Sequence, residues 1–276
     1  MSPSHAPLGR LVVCPTPIGN LKDVTLRALE VLAEAEVVAC EDTRHTRVLL
    51  ARYGISARLV SYHEHNERSR AQELLARIRR GGVVALVCDA GTPLLSDPGF
   101  ALLHGCVSEG LAVEVLPGAS AVVTALIASA LPAERWRFVG YLPRKAGERD
   151  DLLMNAPETL VAFESPRRLA ASLSALAARD PARAVAVCRE LTKLHEEVRR
   201  GSAAELAAHF CANPPRGEIV LVVGACAEGQ ARREQALAAL RELLKAGARA
   251  RPAATAVAKL TGMGANELYR ELTSER

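Results

Sequence analysis

Aromatic side chains are scarce, with one Trp, four Tyr and four Phe in 276 residues. Proteins that stack single-stranded bases rely on such rings, so that mode of nucleic-acid binding is disfavoured. Cysteine is present but forms no pattern. The seven fall at 14, 40, 88, 106, 188, 211 and 226, an odd number with no C-x-x-C pair. This argues against a disulfide framework and against a zinc cluster, so no metal is expected. Cys14, Cys40, Cys88 and Cys188 close apolar runs, where a free thiol packs as a small core residue. The dinucleotide fingerprint G-x-G-x-x-G and the P-loop G-x-x-x-x-G-K-[ST] are both missing. So are G-x-S-x-G and H-E-x-x-H, and His195-Glu196-Glu197 lacks the spacing of the latter, so hydrolase chemistry has no support. No uncharged apolar span reaches membrane length, and the opening MSPSHAPLGR has no apolar signal core. A cytoplasmic protein with no membrane partner is expected.

What remains is an ordinary globular composition, 49% apolar and 24% charged, with a formal charge of +4. The length suffices for two modest domains and a tail. The mildly basic balance admits a polyanionic partner without requiring one.

From residue 11 the pattern alternates strand and helix. Short apolar runs at 11–14, 37–40, 59–62, 83–88 and 112–116 are separated by helical stretches. Such alternation predicts an α/β domain with a parallel, doubly wound sheet, here assigned to residues 10–118. Thr25 is placed to cap the first helix. A second set follows, with strands at 137–142, 159–164, 184–189, 196–200 and 218–224. Their closer spacing predicts a mixed sheet in a domain spanning 119–226. The tail, 227–276, is helical, with a break over 247–252. Its glycine turn, Gly262-Met263-Gly264, and Asn266 as a cap fit a helix-turn-helix, and equally a plain helical hairpin.

Every strand of the first domain runs into a polar loop, and open α/β sheets bind ligands at that carboxyl edge. Those loops carry Gly19, Gly91, Gly99 and Gly118, carboxylates Asp89 and Asp97, and hydroxyls Thr16, Thr92 and Ser120. Carboxylates hold ribose hydroxyls and an ammonium, while a triphosphate would call for Lys or Arg. The set therefore points to a nucleoside-like ligand. His63 and His65, at alternate positions of a strand end, are read as a surface or hydrogen-bonded pair, because no third ligand is near in sequence. Ser165 is read as the cap of a helix opening at Pro166, not as a nucleophile.

Seven segments taken together carry a resemblance. They are Cys14-Pro15-Thr16-Pro17-Ile18-Gly19-Asn20-Leu21, Glu41-Asp42-Thr43-Arg44-His45-Thr46, Ser61-Tyr62-His63-Glu64-His65-Asn66-Glu67, the run 89–99, Leu116-Pro117-Gly118-Ala119-Ser120-Ala121, Phe163-Glu164-Ser165-Pro166 and Arg189-Glu190-Leu191-Thr192-Lys193. In this order and spacing the chain resembles the ribosomal RNA small subunit methyltransferase I family of the tetrapyrrole (precorrin) methylase superfamily, over about residues 10–225. Two positions depart from the family pattern. Ala119 stands where Pro is frequent, and Arg167 stands where His is usual.

The resemblance implies two α/β domains with S-adenosyl-L-methionine in the cleft between them. It also implies a homodimer that methylates the ribose 2′-hydroxyl of cytidine 1402 in 16S rRNA of the 30S subunit. Mapped by motif, the cofactor contacts would be Pro15, Thr16, Pro17, Gly19, Asn20, Asp89, Ala90, Gly91, Thr92, Leu94, Ser120, Ala121, Phe163 and Glu164. Asp97 and Pro98 would shape the turn into the next helix. Arg44, His45, Arg144 and Arg167 would face the RNA, with Arg168 as a further phosphate contact or a solvated helix start. Glu190, Lys193 and Glu64 are the catalytic candidates, with Asp42 as another carboxylate in reach. A tetrapyrrole methylase, and an RNA-binding protein that keeps the pocket without catalysis, stay open beside this reading.

Overall fold

The structure, a computed structural model, describes residues 9–226, 228–261 and 263–274. Residues of the opening segment before Gly9, and Gly262 of the expected glycine turn, lie outside the described residues. Contacts divide the chain into two compact units. One runs to Thr124 and takes in Glu190–Glu197, and the other comprises Ala125–Arg189 and the chain from Val198 onward.

In the first unit, β1 (Arg10–Val13), β2 (Val37–Cys40), β3 (Leu59–Ser61), β4 (Val83–Leu86) and β5 (Ala112–Val115) form one sheet in the order β3-β2-β4-β1-β5. All four pairings are parallel. The central strands β2 and β4 are apolar at every position, and β1 is so after Arg10, because both sheet faces are covered. Leu11, Val13, Val37, Ala39, Val84 and Leu86 meet α3 (Glu67–Arg79) and α4 (Phe100–Ser108) on one face. Val12, Cys14, Val38, Cys40, Ala85 and Val87 meet α1 (Leu26–Glu34) and α2 (Thr43–Arg52) on the other. Thr25 caps α1 as expected, accepting from the Ala28 N–H at 3.1 Å.

The second unit holds a mixed sheet, ordered β6-β7-β10-β8-β9. Its strands are β6 (Trp136–Tyr141), β7 (Thr159–Glu164), β8 (Ala184–Arg189), β9 (Glu197–Ser202) and β10 (Ile219–Val223), with the start of β9 falling in the first unit by contacts. β6 and β7 run parallel, and β10 is antiparallel to both β7 and β8. The helix α5 (Ala121–Ser129), whose first turn belongs to the first unit, leads into β6, and α6 (Ala146–Met154), α7 (Pro166–Arg179) and α8 (Ala203–Ala212) connect strands of this sheet. The tail folds as α9 (Glu228–Lys245), α10 (Ala250–Thr261) and α11 (Ala265–Ser274) around their own apolar cluster. Among the described residues no helix is long and apolar enough to cross a membrane.

Four local expectations need correction. Ser165 occupies the cap position of α7, but its hydroxyl accepts no helix N–H; it faces the Arg168 Nε at 3.4 Å. Pro166 still opens the helix, where its missing N–H costs nothing. Asn266 lies inside α11 and does not precede it. The tail break ends earlier than expected, since Pro252 sits in the first turn of α10, whose N–H groups have no helical partner to lose. Finally, β3 stops at Ser61, so His63 and His65 lie on a turn and not along a strand face.

Candidate functional site

Parallel pairing sends the carboxyl ends of β1, β2, β4 and β5 to one edge, and their loops are stitched together there by short polar contacts. Thr16, 5% exposed, forms a two-bond bridge with Gly91: its N–H donates to the Gly91 carbonyl at 2.8 Å, and its carbonyl accepts the Gly91 N–H at 3.0 Å. The Thr16 hydroxyl donates to the Cys88 carbonyl at 3.0 Å. The Thr92 hydroxyl donates to the Ala119 carbonyl at 3.1 Å, which ties the β4 loop to the β5 loop. On the other side the Asp42 N–H donates to Asp89 Oδ1 at 3.0 Å, so the β2 and β4 ends are joined too.

The segment Glu190–Glu197 closes on the same edge. The Asn20 N–H donates to Thr192 Oγ1 at 3.0 Å, while Asn20 Oδ1 caps a short 3-10 turn, Leu21–Asp23. Gly19 is required there. A Cβ on it would lie 2.5 Å from Lys193 Cγ and 3.0 Å from the Leu191 carbonyl oxygen. Lys193 Nζ pairs with Glu190 Oε1 at 3.0 Å. Of the five described non-glycine residues with positive φ, four are Leu94, Ser96, Glu190 and Thr192. Each such conformation costs of order 1–3 kcal/mol and persists only where its surroundings impose it.

Pro15 and Pro17 are buried, Ala90, Gly19 and Asn20 are exposed, and Asp89, Leu94, Ser120 and Ala121 are half-buried. Ser120 accepts the Val123 N–H at the start of α5. Neither the 15–20 loop, the 89–99 loop nor the turn 117–120 contains a Lys or Arg. Carboxylates dominate. Burial, then the charges of Asp89 and Asp97, raises the Glu41 carboxyl above the ordinary range. Burial and Asp89 raise Asp97 likewise. Asp42 moves the other way, to about 2, because Arg44 bonds it through both side chain and main chain. Burial, then the charge of Asp97, pushes the Cys88 thiol up, so it is inert.

Other predicted residues are placed differently. Glu64 is exposed on the turn after β3. Arg44 is 85% exposed yet committed to Asp42 at 2.7 Å, and His45 is exposed beside it on α2. In the second unit the Glu164 side chain is fully buried. Its Oε1 accepts from the Ser165 N–H at 2.7 Å and meets Arg168 at 2.6 Å, while Oε2 accepts from the Ser172 hydroxyl at 2.7 Å. Arg168 also donates to the carbonyls of Leu142 and Pro143, so it ties the start of α7 to the loop carrying Arg144. Arg144 and Arg167 are exposed. Phe163 packs edge-on against Phe138, with ring centroids 5.0 Å apart, and beside Tyr141.

One residue of this edge was not singled out from sequence. Glu67 Oε1 accepts the N–H groups of Gly99 and Ala101, each at 3.0 Å, and so caps α4 from the first turn of α3. The available signal was negative: α4 opens at Gly99-Phe100 with no Ser, Thr, Asp or Asn at the cap.

The arrangement offers loops that backbone and small ligands can approach closely, with carboxylates in place of cations. That donor set fits hydroxyls and an ammonium and does not fit phosphates. Among the described residues no group of three or more His, Cys, Asp or Glu is placed to hold a metal ion.

Residues 10–207 match the family of Tetrapyrrole (Corrin/Porphyrin) Methylases. The chain is 48% identical to the ribosomal RNA small subunit methyltransferase I of Mesorhizobium japonicum, covering 95% of this chain and 90% of that one. Among solved structures it is similar to uroporphyrin-III-C-methyltransferase from Thermus thermophilus, with a TM-score of 0.57 and 26% identity over 78% of this chain and 94% of that one. A second structure of that enzyme, complexed with S-adenyl homocysteine, matches with a TM-score of 0.55 and 23% identity over 78% and 97% of the two chains.

Proposed function

The chain belongs to the ribosomal RNA small subunit methyltransferase I family, within the tetrapyrrole methylases, and from that premise we propose that it transfers the methyl group of S-adenosylmethionine to the ribose 2′-hydroxyl of cytidine 1402 in 16S rRNA. It acts on the 30S subunit, in the cytoplasm, as a homodimer. The observation that carries the reading is the concentration of backbone strain. Leu94, Ser96, Glu190 and Thr192 hold positive φ in two segments, and both segments are bonded to the Thr16–Asn20 loop. Strain held in this way accumulates where a fold pre-organises a site.

The cofactor, when bound, supplies an electrophilic methyl on a sulfonium, so that an S–C bond breaks as the O–C bond forms and the hydroxyl proton must leave. The residues of this chain align and screen that displacement. Main-chain groups of Pro15, Thr16, Pro17, Gly19, Asn20, Ala90, Gly91, Thr92, Leu94, Ser120 and Ala121 shape the pocket, and Asp89 holds hydroxyls or the ammonium. Phe163 adds an apolar contact, and Glu164 acts by fixing the strand end that presents Phe163. Glu190 accepts the hydroxyl proton, and Lys193, paired to it at 3.0 Å, holds its carboxylate in position. Glu64, exposed and away from these ties, is a second acceptor to compare.

Mass spectrometric mapping of ribose methylation on 16S rRNA, before and after deletion of the gene, tests the reading. Loss of one methyl from cytidine 1402, restored by the wild-type gene and not by E190Q, is the expected result. An unchanged 1402 overturns it, and methylation of uroporphyrinogen by the purified protein would favour a tetrapyrrole substrate.

A further inference from the structure

Most arginines of the first unit are neutralised by a carboxylate. Arg10 meets Glu34 at 3.4 Å, Arg27 meets Glu114 at 2.5 Å, Arg77 meets Glu36 at 2.7 Å and Arg79 meets Glu109 at 2.6 Å. The helix α2 breaks that rule. Its sequence, TRHTRVLLAR, contains Arg44, His45, Arg47 and Arg52 and no acidic residue. Leu49 and Leu50 point into the core, which leaves Arg44, Arg47, Val48, Ala51 and Arg52 on the outward stripe at i, i+3, i+4, i+7 and i+8. Among the described residues, only Arg44 of this stripe has an acidic partner, Asp42.

Two further cations are brought alongside by the fold. Tyr53, directly after α2, donates its hydroxyl to the Leu21 carbonyl at 2.7 Å and so holds the 3-10 turn carrying Lys22 against the end of the helix. Arg58 enters β3, the edge strand beside β2, through its carbonyl bond to the Val38 N–H at 2.9 Å. Arg47, Arg52, Arg58 and Lys22 are exposed and, among the described residues, have no carboxylate within ion-pair reach. Arg68 and Arg80 are also unpaired, but they stand singly at opposite ends of α3. With a rise of about 1.5 Å per residue, Arg44 and Arg52 are roughly 12 Å apart along the axis, a span that several consecutive phosphates of a folded RNA can match.

We infer that the outward face of α2, with Arg47 and Arg52 at its centre and Arg58 and Lys22 at its flank, docks on the phosphate backbone of the RNA substrate. The inference rests on the functional reading above and goes beyond it. It moves the main RNA contact from Arg44, whose charge Asp42 already balances, to arginines that no acid among the described residues pairs with. Unpaired surface cations are a net cost to a small fold through self-repulsion, and a polyanion removes that cost by releasing its own counterions.

The test compares wild type with R47A/R52A/R58A, with R47K/R52K/R58K and with R79A, measuring affinity for undermethylated 30S subunits and methylation rate over a range of salt. For the alanine triple the slope of log affinity against log salt should shrink by about 2, and KM for subunits should rise about tenfold or more at physiological salt. Its kcat at saturating subunits, its affinity for S-adenosylhomocysteine and its melting midpoint should match wild type. The lysine triple should keep the wild-type slope, since a point charge serves a phosphate, and R79A should not change it. A wild-type slope in the alanine triple, or an equal loss in R79A, overturns the inference alone. Failure of the wild-type protein to methylate 30S subunits overturns the functional reading and this inference with it.

Discussion

The two sheets of this protein use their polar residues in opposite ways. In the parallel sheet all strand ends face one edge, and the side chains there bind main-chain groups of neighbouring loops: Thr16 to Cys88, Thr92 to Ala119, Asp89 to Asp42. The mixed sheet has strand ends on both sides, and its polar residues are consumed locally. Glu164, Arg168 and Ser172 satisfy one another, and Arg183 is buried against Asp180 and the carbonyls of Gly224 and Met154. Topology thus gathers the polar loop groups of the first unit at one edge, while chemically similar residues in the second are bonded to one another.

The sharpest way to break this comparison is at Glu164. If its role is structural, E164A leaves Arg168 without its partner in a buried setting and should destabilise the second unit by about 3 kcal/mol, read by denaturant unfolding. A stable E164A protein that has lost cofactor affinity would instead make it a ligand contact. Next in size is Gly19→Val. The added side chain collides with the Leu191 carbonyl and Lys193, and the cost of about 1–3 kcal/mol should appear as a ten- to hundredfold loss of activity with little change in melting midpoint. Calorimetric titration with S-adenosylhomocysteine alongside the rate separates pocket from catalysis.

Much of this was legible beforehand because its causes are local. Five apolar runs alternating with helices can bury both faces only as a parallel sheet, and the strand positions agree to within about two residues. The mixed character of the second sheet followed from strands too close together for helical crossovers. The polar loops were recognisable from their Gly, Pro and hydroxyl content. What escaped was long-range pairing. Nothing near Glu67 indicates that it caps α4, more than thirty residues away, at Gly99 and Ala101. Nor does the segment Glu190–Glu197, lying between strands of the second sheet in sequence, indicate that it packs with the first unit. The same blindness to tertiary partners hid the contact of Ser165, which holds the cap position as expected but turns its hydroxyl to the half-buried Arg168 that pairs with Glu164.

Smaller effects sharpen the picture of the first edge. E67A removes the acceptor of two N–H groups at the start of α4 and should cost about 1–2 kcal/mol of stability, with faster amide exchange at Gly99 and Ala101. An unchanged exchange rate there would show that the cap is idle. The smallest expected effect is at Asp97. Its carboxyl is raised by burial and by Asp89, so the folded protein holds that proton more tightly than the unfolded chain, and ionisation works against folding. D97N should therefore melt above wild type at neutral pH, and the gap should close as pH falls below the ordinary carboxylate value of 3.8. A gap that widens in acid would mean that ionised Asp97 is stabilising.

The most direct measurement is transfer of labelled methyl from S-adenosylmethionine by the purified protein to 30S subunits isolated from cells lacking the gene, followed by nuclease digestion and mass spectrometry of the labelled fragment. One methyl on the ribose 2′-oxygen of cytidine 1402, formed ten- to a hundredfold more slowly by Gly19→Val and retained in part by a conservative E164Q, is the predicted result. Label on a base, at another nucleotide or nowhere on the subunit would contradict it.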